Sequence, residues 1–261
     1  GHPAVQSAMH NPRQPPPYLT QQGLWHQPTL IHNVETFACL PHIARRGAEW
    51  FKGLARTPGG AGTKIFAVSG KVRQPGCYEL PLGIRLSEII EVHAGGMLEG
   101  STFKACLPGG ASTGFLPAAH YHVEMDFDAL KKVGNRLGTA AVMVLDQHTC
   151  MVAATLNLME FFARESCGWC TPCREGLPYI RDTLARIEAG GGEPGDLPML
   201  ERMKVHLYRA YCAFAPGAAA PLESLLAHFK DELQEHIRGR ACPFRPAAGP
   251  TGGIATPRHI A

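Results

Sequence analysis

Three cysteines on one short loop constrain this chain more than anything else in it. Cys167, Cys170 and Cys173 lie in ESCGWCTPCREG (165–176), a C-x2-C-x2-C pattern with Arg174 and a helix-like segment directly behind it. Thiolate is a soft ligand and selects zinc or iron–sulfur clusters. Structural zinc commonly draws cysteine pairs from two separated knuckles. Three at this spacing is instead the way one loop grips three irons of a 4Fe–4S cube, with a distant cysteine holding the fourth. Two cysteines could serve. Cys212 lies in YCAFAPGA between two predicted helices, and Cys242 lies in a Gly/Pro-rich tail. Cys212 is favoured, because a set of packed helices can return it to the loop. A zinc ion on the same four thiols, or free thiols, are the competing readings. Exposed N–H groups at the start of the following helix, its dipole and Arg174 would all stabilise a negatively charged cluster.

The chain holds nine cysteines, an odd number, in 261 residues. It is large enough to bury a core without a disulfide framework, so a reducing compartment and a metal role for the clustered thiols follow. Cys39, Cys106 and Cys150 sit in apolar surroundings and read as small buried hydrophobes. Hydrophobic residues make up 45% and charged residues 18%, a globular balance. The formal net charge of +3 comes from scattered residues, which argues against a nucleic-acid partner. No apolar run approaches a membrane span. PGGAGT (58–63) and PGGAST (108–113) lack the strand–loop–helix setting and lysine of a phosphate loop.

The hydrophobic period changes along the chain. Pro15, Pro16 and Pro17 favour extended polyproline geometry. Residues 34–54 have helical spacing that Pro41 should break or kink. KIFAVSG (64–70) and CYELPL (77–82) alternate as strands around a turn at RQPG (73–76). RLSEIIEVHAGG (85–96) predicts a helix with Leu86, Ile89, Ile90 and Val92 on one face, ended by Gly95. FKACLPGG (103–110) and GTAAVMVLD (138–146) are further strands. Helices follow at 150–165, 175–190, 197–211, with Asp196 as its cap, and 221–237. The expected fold class is therefore α+β: a small β-grasp domain followed by a four-helix bundle. The boundaries are 1–62 for a leading segment, 63–146 for the β-grasp unit, 147–240 for the bundle and 241–261 for an irregular tail.

Several stretches together resemble a known family. ARESCGWCTPCREG (163–176) and YCAFAPGA (211–218) are similar to the NADH-binding flavoprotein subunit of respiratory complex I. PPYLTQQGLWHQPTLIHNVET (16–36), SGKVRQPGCYELPLG (69–83), LPGGAST (107–113), MDFDALKKVGNRLGT (125–139) and MVAATLNLMEFFARESC (151–167) agree in the same order. NAD-reducing hydrogenases and NAD-dependent formate dehydrogenases carry related modules. The resemblance implies that Cys167, Cys170, Cys173 and Cys212 ligate a 4Fe–4S cluster. It also implies an FMN- and NADH-binding Rossmann-like domain ahead of the β-grasp unit, with electrons leaving through the cluster toward quinone. The family's NNVET segment reaches FMN. Here it reads HNVET, so Asn33 carries over as an FMN contact, while His32 departs. Asn33 also reads simply as a helix cap.

The family's flavin loop, acidic cofactor segment and nicotinamide contacts precede the PPYL region, and no counterpart is found in this sequence. The expectation is a C-terminal portion that does not oxidise NADH alone. Implied partners are the other peripheral-arm subunits, especially the one bearing a 2Fe–2S cluster. The implied location is the cytoplasm or the cytoplasmic side of the inner membrane.

Overall fold

The computed structural model describes residues 17–245, so the polyproline reading of Pro15 and Pro16 and the tail beyond Arg245 fall outside the described residues. Helices α1 (Val34–Arg46) and α2 (Ala48–Lys52) come first. Pro41 does not interrupt α1, contrary to expectation. A proline removes one N–H and crowds the carbonyl four residues back, but here the helix runs on to Gly47, whose N–H bonds the Ile43 carbonyl at 2.8 Å. Glu35 ties α1 to the sheet: its carboxylate accepts from Lys64 Nζ at 2.6 Å and from the Ile65 N–H at 3.0 Å.

The sheet has five strands: β1 (Thr63–Gly70), β2 (Gly76–Pro81), β3 (Phe103–Leu107), β4 (Leu116–Pro117) and β5 (Ala141–Asp146). Their order is β2-β1-β5-β3-β4. The first and last strands run parallel at the centre, with Val68 opposite Val142, and the other pairs are antiparallel. Between β2 and β3, α3 (Leu86–Glu88) widens into a π-turn at Ile89–His93. That widening breaks the 3.6-residue period, so Leu86, Ile89 and Ile90 are buried while Val92 is 69% exposed, off the face predicted for it. Helix α4 (Phe127–Lys132) is capped by Asp126. The PGGAST glycines serve packing: a Cβ on Gly109 would stand 2.1 Å from the Leu137 carbonyl oxygen.

Because successive side chains of a strand point to opposite faces, one sheet serves two cores. Cys106, Val142 and Val144 pack with Leu86, Ile89 and Ile90. Ala105, Leu107 and Leu145 face the helices that follow. Those are α5 (Met151–Glu165), α6 (Thr171–Arg174), α7 (Gly176–Glu188), α8 (Asp196–Leu207), α9 (Phe214–His228) and α10 (Lys230–Gly239). The single helix expected at 221–237 is two. Helix α9 starts at Phe214 and carries Pro221 inside it, and the chain leaves helical geometry at Phe229, whose ring meets Phe115 edge-on. Leu222, Leu225, Leu226 and Leu233 of this stretch are buried all the same, and Phe229 is partly buried against them. Asp196 does not cap α8. Its carboxylate takes the Arg186 guanidinium and the Glu193 N–H instead.

Ser224 of α9 joins the two halves: its hydroxyl accepts the buried Phe115 N–H at 2.7 Å. Ser224→Ala strands that donor. We expect a loss of about 1–3 kcal/mol in unfolding free energy, read by denaturant titration.

Asp146, 3% exposed, closes the turn from β5 toward α5 by accepting from Ser101 and Thr149. Burial, the largest influence, pushes its carboxyl up, but these hydrogen bonds together with the nearby Lys71 and His148 outweigh it and hold the carboxyl below the ordinary value. A group depressed in the folded state stabilises above its unfolded value and stops doing so as pH falls through its folded one. Asp146→Asn is therefore expected to flatten the acid limb of the stability–pH curve, with little change in its slope near neutrality.

Candidate metal centre

Helix α5 ends at Glu165, and Ser166 turns the chain into the cysteine loop. Cys170 begins the single-turn helix α6, with Pro172 in its first turn, and α7 follows at once. The loop carries its own braces. The Arg174 guanidinium donates to the Gly168 carbonyl at 3.0 Å, and the Gly168 N–H donates to Ser166 Oγ at 3.2 Å. Ser166 Oγ also lies 3.0 Å from Cys173 Sγ. Cys170 and Cys173 are buried, Cys167 is half-buried and Cys212 is exposed.

Cys212 lies on the connection between α8 and α9, and two observations bring it to the loop. The Trp169 and Tyr211 rings, each beside one of the cysteines in question, meet edge-to-face with centroids 5.4 Å apart. The Cys173 thiol is pushed up to about 11, first by its burial and then by interaction with the Cys170, Cys167 and Cys212 thiols, with Ser166 opposing. Four thiols are thus within electrostatic reach of one another at one end of the helices. A set of four soft donors that interact with one another at one end of the helices suits a metal centre, because metal binding turns mutually repelling thiolates into ligands. Cys242 is held elsewhere. It is buried, and it interacts with Cys150 and Glu188. Cys106 is a buried hydrophobe as expected, and Cys39 is only half-buried. Cys150 does more than fill space: it is the N-cap of α5 and accepts the Ala153 N–H at 3.3 Å.

Asn33 acts as the N-cap of α1, its side-chain oxygen accepting the Thr36 N–H at 3.4 Å. Ser166 and the Trp169–Tyr211 pair escaped the sequence reading. The only signal for them was position: a hydroxyl just ahead of the first cysteine, and an aromatic beside each cysteine segment.

Residues 153–236 match the family described as the NADH-ubiquinone oxidoreductase-F iron-sulfur binding region, and residues 65–116 match the SLBB domain. The F-type subunit numbered 2 of the NADH-quinone oxidoreductase of Rhizobium meliloti is 49% identical over 236 residues, covering 89% of this chain and 55% of the relative. Over most of its length this chain is similar to NADH-quinone oxidoreductase F-type subunits. The F-type subunit of Escherichia coli is 46% identical over 230 residues, 87% of this chain and 52% of its own length. This chain spans about half the length of the curated relatives it matches. Among solved structures, an NAD+-reducing [NiFe]-hydrogenase in the H2-reduced state superposes with a TM-score of 0.76 at 33% identity, over 92% of this chain and 41% of that one. Among the described residues, no helix is long and apolar enough to cross a membrane.

Proposed function

We propose that this chain is the electron-relay portion of an NADH-quinone oxidoreductase F-type subunit, with Cys167, Cys170, Cys173 and Cys212 as the ligands of its 4Fe–4S cluster. The observation that carries the assignment is the meeting of the 167–173 loop with the Cys212 segment at the Trp169–Tyr211 contact. When bound, the cluster supplies one-electron redox chemistry for electrons passing from NADH through FMN toward quinone. The chain's own residues hold it. Ser166 donates toward Cys173, Arg174 closes the loop, and burial of Cys170 and Cys173 keeps water from two of the four sulfurs. The β2-β1-β5-β3-β4 order with a central parallel pair supports a β-grasp unit over 63–146. The helices that follow support a bundle over 147–240, elaborated by α6 and α10.

FMN and NADH belong to the portion of the relatives that this chain does not span, with Asn33 reaching toward FMN. Residues 1–62 read as the edge of that portion. Trp25 and Val34 are 82% and 81% exposed, and Leu30 and Ile31 are also open to solvent, as expected of a surface that packs on a further domain. The other peripheral-arm subunits, above all the 2Fe–2S-bearing one, are the partners, at the cytoplasmic face of the membrane. The hydrogenase likeness favours one second reading, the same relay in a soluble NAD-linked hydrogenase.

Anaerobic reconstitution tests the proposal. The 261-residue chain should bind about four irons and turn brown, giving on reduction the paramagnetic signal of a single 4Fe–4S cluster. It should not oxidise NADH when FMN is added. A colourless chain that takes up no iron refutes the relay.

A further inference from the structure

A second set of donors lies among the described residues, apart from the cysteine loop. Cys150, Glu188, His236 and Cys242 each present one ligand atom, and the four atoms all lie within 4.8 Å of one another. They come from four places in the chain: the cap of α5, the last residue of α7, the last turn of α10 and the segment after α10. All four residues are buried, with His236 fully enclosed and Glu188 only 5% exposed. Cys150 Sγ is 3.3 Å from His236 Nε2 and 3.4 Å from Glu188 Oε2, and those last two atoms are 3.1 Å apart. A tetrahedral zinc ion with its usual bonds to sulfur, nitrogen and oxygen sets its ligand atoms roughly 3.3–3.8 Å apart. The gathered atoms already stand close to that spacing, whereas a cubane would hold its four ligands farther apart.

The surroundings of these donors are those of a prepared site. The ring nitrogen of His236 that faces away from the cluster of donors, Nδ1, lies 2.7 Å from the Glu232 carbonyl oxygen, which as acceptor leaves Nε2 free for a ligand. The Ala153 N–H donates to Cys150 Sγ, and a backbone N–H at Phe244 donates to Cys242. Glu188 Oε1, the oxygen not aimed at the other donors, pairs with Arg245 at 3.2 Å. Cys150, His236 and Cys242 are thus each oriented by a second hydrogen bond, and Glu188 by an ion pair. The charges also close: two thiolates and a carboxylate balance a divalent ion together with Arg245. Two sulfurs with an imidazole and one carboxylate suit zinc and not magnesium or calcium. Four protein ligands in a buried setting leave no open position, which marks a structural site.

We propose that Cys150, Glu188, His236 and Cys242 form a second metal centre, a structural zinc site. The ion fastens the start of α5, the end of α7, α10 and the segment behind it at the opposite end of α5 from the cysteine loop. Cys242, which could have been the fourth cluster ligand, is then a zinc ligand.

The test uses the iron-reconstituted 261-residue chain, produced in zinc-supplemented medium and desalted. Elemental analysis should find about one zinc per chain beside the iron. Cobalt(II) added to chain prepared without zinc should give the intense visible bands of a tetrahedral cobalt–thiolate site. Cys242→Ala should lose the zinc and those bands while keeping the iron. His236→Cys should keep the zinc and shift the cobalt spectrum. Should Cys242→Ala fail to fold, the cobalt spectrum of the unaltered chain decides alone. A chain that carries no zinc and gives no thiolate bands with cobalt overturns the proposal, as does zinc retained in full by Cys242→Ala. Both results are read on chain that holds its full iron, so that the loop thiols are not open to zinc or cobalt.

Discussion

Cys212→Ser is expected to remove most of the iron from the reconstituted chain, with the brown colour and the reduced-state signal lost in proportion. A hydroxyl is a poor substitute for a thiolate on iron, and the other three ligands share one loop that can close on the cluster from one side only. Cys212 is exposed and lies on a connection between helices, so its replacement disturbs no packed core. Unfolding is therefore not the route to iron loss, and circular dichroism should show the helices intact. Cys242→Ser is the matched control and should retain about four irons. Iron lost from Cys242→Ser and kept in Cys212→Ser would reverse the ligand assignment, despite the Trp169–Tyr211 contact that supports it.

The second large effect is expected from the scaffold. Gly70 ends β1 with φ at +90°, and a Cβ there would lie 2.1 Å from the Val144 carbonyl oxygen and 2.9 Å from its nitrogen. Gly70→Ala therefore meets two costs. The backbone conformation is one that side-chain-bearing residues rarely adopt, and the added carbon collides with main chain, which cannot move aside as a flexible side chain would. The collision falls on β5, the central strand whose alternate residues feed both cores. A loss of about 3 kcal/mol follows from strain and overpacking together. For a chain of this size that corresponds to a melting temperature lower by roughly 6–12 °C. Calorimetry measures it, and an unchanged transition would show that β1 and β5 separate without cost. The cysteine loop is remote from β1, so the iron content of whatever folds should be that of the unaltered chain.

Much of this molecule can be read from the order of its residues. The strands at 64–70, 77–82, 103–110 and 138–146 announce themselves by alternation and by turn residues between them. The stripes Leu177, Ile180, Leu184, Ile187 and Leu222, Leu225, Leu226 announce buried helix faces. These signals are local: each depends on neighbours a few residues away, which a periodic pattern records. The three loop cysteines belong to the same class, because one short segment must present three thiols at once.

Where the reading failed, a distant contact decided. The helix expected at 221–237 divides at Phe229 because that ring meets Phe115 of the sheet region. Val92 is exposed because a π-turn shifts the face, and nothing in RLSEIIEVHAGG marks the extra residue per turn. Asp196 gives up its capping role to an arginine ten residues earlier. Cys150 and Cys242 show the division most clearly. In sequence they are a small hydrophobe and a tail residue, 92 positions apart. Only the packing of α5, α7 and α10 brings them beside Glu188 and His236 in a closed space, where two thiols, an imidazole and a carboxylate become a ligand set. The sequence alone determined the chemistry that one loop can hold, since spacing along a chain is geometry already. Chemistry shared among four segments was decided by the tertiary structure, since their separation in space is set by what the helices bury.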